Sequence, residues 1–164
     1  MSHSPFWFNL FRSTTKQKLH IQHLWLATPI FSHVSHKQCL QLVQEMPVRR
    51  YQVGEAIFSQ GEIGMGACLI LTGQVQIGSG EKILAEMEEG DFFGEVALVI
   101  ESPRTASAVA QTECEVVFFL RPQLDNLLSR VPKQGAKLMQ NLARVMANRL
   151  GSTNALLEAH HVTD

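Results

Sequence analysis

The stretch Ala67-Cys68-Leu69-Ile70-Leu71-Thr72-Gly73-Gln74-Val75-Gln76-Ile77-Gly78-Ser79-Gly80 decides the fold. Gln74 to Ile77 alternates polar and apolar residues, the two-residue period of a strand with one buried face. Ala67 to Leu71 reads as another strand, and Gly78-Ser79-Gly80 has the composition of a hairpin connection. Working outward, nine of the eleven glycines fall between Gly54 and Gly94, which predicts a sheet interrupted by tight turns. Further strands are predicted at Ala56 to Ser59, Ile83 to Met87, Ser107 to Ala110 and Cys114 to Leu120. No helix-length segment separates them, so a parallel sheet lacks its crossovers and an antiparallel barrel or jelly roll is favoured.

Helical patterns flank this region. Leu19, Leu24 and Leu26 lie among polar residues before a break at Pro29. Ser35 and Gln38 have capping-box spacing, and Cys39, Leu40, Val43 and Met46 recur at helical intervals, which predicts a helix from Ser35 to about Met46. After Arg121, Pro122 suits a first helical position and Leu124, Leu127, Leu128 and Val131 form one apolar face. Pro132 then starts a longer helix with Leu138, Met139, Leu142, Val145, Met146 and Leu150 on one side. Gly151 offers it a stop, with Leu156 and Leu157 as a continuation of the face. The expected fold is α+β, mainly β: a double-stranded β-helix or jelly-roll barrel flanked by N-terminal and C-terminal helices. Three segments follow: an aromatic extension over 1–18, one domain with its flanking helices over 19–151, and a C-terminal tail over 152–164.

The chain has 164 residues, 45% of them hydrophobic, enough for one ordinary core without disulfide or metal staples. A formal net charge of -1 supplies no bulk attraction to nucleic-acid phosphates or an anionic membrane. Cys39, Cys68 and Cys114 are odd in number, far apart and set in apolar surroundings, which points to reduced core residues in a cytoplasmic protein. No apolar run approaches the roughly 18 to 20 residues that span a bilayer. The start, Met1 to Arg12, lacks the basic region and long apolar stretch of a secretory signal.

The chemistry concentrates between Gly90 and Ser107. Gly90-Asp91-Phe92-Phe93-Gly94-Glu95 brings a glycine into a tight turn just before the apolar stretch Val96-Ala97-Leu98-Val99-Ile100. Such a turn can lead into a short helix whose first N–H groups bind an anion, and the glycine lets a ligand approach the backbone. An ionised Glu95 only accepts hydrogen bonds, so a hydroxyl suits it and an anion does not. Arg104 supplies a planar donor fork that matches two phosphate oxygens. The bland alternative is that Glu95 and Arg104 are solvated charges, or each other's ion-pair partner.

Phe93-Gly94-Glu95-Val96-Ala97-Leu98-Val99-Ile100-Glu101-Ser102-Pro103-Arg104-Thr105-Ala106-Ser107-Ala108 resembles the phosphate-binding cassette of the cyclic-nucleotide-binding family almost residue for residue. That family includes the catabolite activator protein, the regulatory subunits of protein kinase A and cyclic-nucleotide-gated channels. The resemblance extends from about Ile30-Phe31, through Gln60-Gly61-Glu62-Ile63-Gly64 and Leu71-Thr72-Gly73-Gln74-Val75, to the helices after Arg121. It departs mildly at Met65, where an acidic or small polar residue is usual, and at Cys68, where an aromatic is frequent. The ligand-contact set it implies is Gly94, Glu95, Val96, Ala97, Arg104, Thr105 and Ala106. Glu95 would accept from the ribose 2′-hydroxyl and Arg104 would neutralise the cyclic phosphate. Backbone amides near Gly94, Ala97 and Thr105, with the Thr105 hydroxyl, would complete the cradle. The resemblance also makes the final helix a lid over the base, with Gln140, Asn141, Arg144 and Asn148 as polar candidates to read the purine edge.

Other chemistries lack their residues. A metal-dependent barrel needs inward histidines, and none occurs between His36 and His160; Ser59, Ser79 and Ser107 have no histidine to activate them, so neither a metal site nor an enzyme is expected. About a dozen residues follow Gly151, too few for a helix-turn-helix domain, and Lys133, Lys137, Arg144 and Arg149 read as a solvated face, so no nucleic-acid partner is expected. Phe6-Trp7-Phe8, Leu10 and Phe11 read first as packing against this domain or a second copy, and second as a docking segment for a partner or membrane. The final helix offers a surface to a second copy of the chain. The expectation is a cytoplasmic sensor that uses no cofactor, binds cAMP ahead of cGMP, and signals through its C-terminal helices to an effector protein. The alternative is a scaffold or interaction module in which nucleotide binding is degenerate.

Overall fold

The computed structural model describes residues 14–161. Among these, the order of elements is α1 (Thr15–Ala27), a 3-10 turn (Pro29–Phe31), α2 (His36–Glu45), β1 (Val48–Tyr51), β2 (Ala56–Phe58), β3 (Gly66–Thr72), β4 (Val75–Ser79), β5 (Lys82–Met87), β6 (Phe92–Phe93), α3 (Val96–Val99), β7 (Ser107–Ala110), β8 (Cys114–Leu120), α4 (Arg121–Arg130) and α5 (Pro132–His161). Every ladder is antiparallel, in two four-stranded sheets ordered β1-β8-β3-β6 and β2-β7-β4-β5. The aromatic residues 6–11 lie outside the described residues.

All six predicted strands form. The β4–β5 hairpin closes with Ser79 opposite Lys82, so its two-residue loop is Gly80-Glu81 rather than Gly78 to Gly80. Gly80 has φ 59°, the positive value that matches such loops to strand twist. Two strands lie outside the prediction. In β1, Val48 and Tyr51 are buried while Arg49 and Arg50 sit between them, which hides the strand's period. In β6, two residues are too few to show one.

The expected double-stranded β-helix or jelly-roll barrel is corrected in two respects, closure and strand content. Among the described residues no ladder joins a strand of one sheet to a strand of the other, and the chain is not mainly β, since its helices together hold more residues than its strands. The molecule is layered: helices on one face of the β1-β8-β3-β6 sheet, the second sheet on its other face. Strand β3 is the centre of this arrangement. Its Ala67, Leu69 and Leu71 enter the core shared with the helices, while Cys68 and Ile70 enter the core between the sheets. A strand buried on both faces needs no polar residues, hence its continuous apolar run. All three cysteines are free and buried, and burial pushes the Cys39 and Cys68 thiols up to about 12, away from reactive thiolate.

Trp25, Phe31 and Phe119 form the aromatic centre of the helical core, with ring centroids 5.2 to 6.0 Å apart, and Leu138, Leu142 and Val145 of α5 close it. In α1 the buried face is Ile21 and Trp25, and Leu19 is 53% exposed. Ser35 caps α2 as expected, its Oγ accepting from Gln38 N at 3.2 Å. Ser35 N itself donates to Gln134 Oε1 at 2.8 Å, joining α2 to α5. Asn141 Nδ2 donates to Ile30 O at 2.9 Å and Ser32 O at 2.7 Å, which fixes α5 on the 3-10 turn.

Both expected segment boundaries fall inside helices. Residue 18 is in α1, and α5 continues through Gly151 to His161, so residues 152–161 are helix rather than tail. A glycine inside a helix costs only about 1 kcal/mol against alanine. Beyond it, Ser152 and Thr153 donate to the carbonyls of Asn148 and Arg149, at 3.0 and 2.9 Å. No helix among the described residues is long and apolar enough to cross a membrane.

Candidate ligand-binding site

The segment between β6 and β7 is held from below by the turn that precedes β3. Gly61 N donates to Arg104 O at 2.9 Å, Arg104 N to Glu62 O at 2.8 Å and Gly64 N to Ser102 O at 3.1 Å. At its other edge Arg121, the first residue of α4, donates to Ala97 O and Gly64 O, both at 2.9 Å, and to Ile100 O at 3.2 Å. It also pairs with Glu101 at 3.2 Å. These bonds fold Gly94 to Ala106 into one wall of a cavity of about 720 Å³. All seven sequence-predicted contact residues, Gly94, Glu95, Val96, Ala97, Arg104, Thr105 and Ala106, line it.

Gly94 adopts φ 73°, and a Cβ there would stand 2.6 Å from Arg104 Nη1. The position therefore needs glycine twice, for its backbone and for the arginine that crosses it. Arg104 Nη1 donates to Gly94 O at 3.0 Å and Nη2 to Gly66 O at 2.8 Å, and the guanidinium lies 4.1 Å over the Phe58 ring. Two of its five N–H donors are thus used on the protein. No described carboxylate lies within ion-pair distance of it. Burial lowers its pKa, against smaller raising effects from Cys68, Glu95 and Glu62; a partly desolvated cation is one that gains from an anion.

Glu95 and Arg104 are not each other's partners. The Glu95 side chain is 5% exposed, and its Oε2 accepts from Arg149 Nη1 of α5 at 2.6 Å. Arg149 also donates to Phe92 O at 3.1 Å and lies 4.9 Å over the Phe92 ring. No described residue donates to Glu95 Oε1. The site thus joins a half-buried cation with spare donors to a buried carboxylate with a spare acceptor.

The covering helix differs from expectation. Of the four polar candidates only Asn148 lines the cavity; Asn141 is buried against the 3-10 turn, and Gln140 and Arg144 lie elsewhere on α5. Asn148 is joined by Arg149, Ser152 and Thr153, while Ile77, Leu84, Ala85 and Met87 of β4 and β5 form an apolar wall. The spacing 148, 149, 152, 153 is one face of a helix, a polar stripe that starts where the apolar face ends at Val145, and it could have been found in the sequence.

The family model described as the cyclic nucleotide-binding domain matches residues 48–131, which holds all eight strands, the cassette and α4. The chain belongs to this family. As a cyclic nucleotide-binding domain it is 34% identical over 119 residues to a cGMP-dependent protein kinase of Plasmodium berghei, covering 66% of this chain and 14% of the kinase. It is 30% identical over 136 residues to the cyclic AMP receptor protein of Thermus thermophilus, covering 80% of this chain and 61% of the receptor. The chain therefore spans less than two thirds of either relative. A solved cyclic nucleotide-binding domain of Methylobacillus flagellatus superposes with a TM-score of 0.78 at 22% identity, over 98% of this chain and 97% of that one, a likeness of fold.

Proposed function

We propose that this cyclic nucleotide-binding domain is a cytoplasmic sensor of cAMP, with cGMP the weaker ligand, that has no catalytic activity and no nucleic-acid partner and acts on an effector protein through α5. The observation that carries the reading is the Glu95 carboxylate: buried, held by Arg149 of α5 through one oxygen, and open at the other. A ribose 2′-hydroxyl donating to Oε1 completes it. The cyclic phosphate places its charge on the unused donors of Arg104, with Thr105 and the backbone from Gly94 to Ala97 around it. Because Arg149 orients the carboxylate, the ligand binds more tightly when α5 is in place, and that difference in affinity is what converts occupancy into a helix position. Leu150 and Leu157, 62% and 57% exposed and seven residues apart on α5, support a second copy or the effector as what this helix meets.

Titration calorimetry with cAMP and cGMP tests the reading. Binding at micromolar or tighter concentration is expected, and Arg104→Leu should weaken it tens- to thousands-fold, since losing a desolvated charge pair costs roughly 2 to 5 kcal/mol. A loss below about threefold removes Arg104 as the phosphate clamp. One observation favours a second reading, an interaction module: Arg104 also braces the protein itself through Gly94 O, Gly66 O and Phe58. A folded chain that gives no heat with either nucleotide selects that reading.

A further inference from the structure

The outer side of the cassette is apolar. Val96, Val99 and Ile100 stand at i, i+3 and i+4 on α3 and its C-cap, one face of that short helix. All three are exposed, whereas Ala97 and Leu98 between them are buried. Ile63 and Met65, on either side of Gly64, are exposed as well. Arg121 draws the two segments together, its Nη2 donating to Gly64 O at 2.9 Å and to Ile100 O at 3.2 Å, and Ile63 is bridged to Pro103. Met65, at 67%, is the most exposed large apolar side chain among the described residues. It occupies the position where an acidic or small polar residue is usual.

The rim of this patch is acidic. Glu62 and Asp125 are exposed, Asp125 one turn along α4 from Arg121, and the Glu101 side chain is 71% exposed. Arg121 is 22% exposed and already bonded to Glu101 and three carbonyls, while Arg104 lines the cavity. The five apolar side chains expose on the order of 400 Å², the size of a functional patch but about half of what each partner gives to a standard interface between folded proteins. A second copy docked about a two-fold axis would also set these acids against their equals. An anionic membrane would be repelled in the same way. One apolar helix stripe fits the area, and basic flanks fit the rim.

We propose that Ile63, Met65, Val99 and Ile100, with Val96 at the inner edge, dock an amphipathic helix of a partner protein that carries lysine or arginine beside its apolar stripe. This surface is separate from the exposed leucines of α5, and the proposal stands whichever ligand the cavity takes. Val96 also lines the cavity, so a docked helix and a ligand would meet α3 from its two sides.

The probes are two labelled synthetic helical peptides of about 18 residues, five turns, sharing one leucine stripe and bearing lysines or glutamates elsewhere. In fluorescence anisotropy the full chain should bind the lysine peptide at least about tenfold more tightly than the glutamate peptide. Met65→Ser/Ile100→Ser should weaken the lysine peptide by about tenfold or more, whereas Leu150→Ser/Leu157→Ser should change it by less than about threefold. On the wild-type chain, which needs no substitution to fold, the same peptide should slow amide exchange at residues 63–65 and 99–101. No binding of the lysine peptide at about millimolar concentration, or equal affinity for the two peptides, overturns the proposal, and equal losses in the two double variants overturn the location. A dimer in sedimentation velocity that Met65→Ser/Ile100→Ser dissociates overturns it in favour of a second copy. Flotation with phosphatidylcholine vesicles that the same change abolishes overturns it in favour of a membrane.

Discussion

The cassette and the helix that covers it are fastened in opposite ways. The cassette is pinned along its length, by three backbone bonds to residues 61–64 and by Arg121, whose guanidinium takes three carbonyls from Gly64, Ala97 and Ile100. The second half of α5 is attached at a point. Beyond Val145, Arg149 is the one described α5 side chain with a hydrogen bond outside its own helix, to Glu95 and Phe92. A densely bonded floor fixes where ligand atoms sit; a cover held by one residue can move without disturbing that floor. Position and mobility are thereby given to different parts of the site.

The sharpest way to break this contrast is to loosen the floor. Arg121→Met leaves three carbonyls without their charged donor, and hydrogen bonds to charged groups contribute about 1.5 to 3 kcal/mol each. Urea denaturation should show a loss of at least about 4 kcal/mol, with ligand affinity falling alongside stability; a loss below about 1 kcal/mol means that the backbone bonds to residues 61–64 suffice. Loosening the cover comes second. The Arg149 side chain is 45% exposed while its partner Glu95 is 5% exposed, so Arg149→Leu leaves a buried carboxylate unpaired and should cost about 1 to 3 kcal/mol of stability, less than loosening the floor. The same change should weaken nucleotide binding roughly tenfold and speed amide exchange from residue 149 onward. Unchanged affinity would mean that Glu95 needs no help from α5. The smallest effect is expected from stiffening the cover: Gly151→Ala adds a Cβ that meets nothing within 4 Å. It should stabilise α5 by up to about 1 kcal/mol, seen as slower exchange after residue 149, and a faster rate there would overturn it.

The same contrast explains what could be read in the sequence. The floor is made of local patterns: alternation in Gln74 to Ile77, the glycine before Glu95, and the capping Ser35. All of these formed as expected, and the seven cassette residues do line one cavity. The cover depends on pairs remote in the chain. Arg149 reads as a solvated helix position because nothing near it in sequence is acidic, and its partner Glu95 lies 54 residues earlier. Arg121 reads as the edge of a helix because three of its four acceptors are backbone atoms, which no side-chain pattern reveals. Gly151 reads as a stop because its helical cost is local, whereas the helix around it is long enough to absorb that cost. Whether the two sheets close into a barrel is likewise more than alternation can specify, since the period assigns faces but not which strand edges meet.

Strand β6 shows how little chain can carry a large constraint. Phe92 faces the helical core and Phe93 the core between the sheets. Phe92 meets Arg149, and Phe93 lies 5.8 Å from Phe58, the ring under Arg104. Because neighbouring strand residues face opposite ways, one residue inserted or deleted just before Phe92 would exchange the two rings between cores and detach both arginines at once. Length should therefore vary freely across descendants of this sequence at the Gly80-Glu81 loop, and at Asp91 hardly at all.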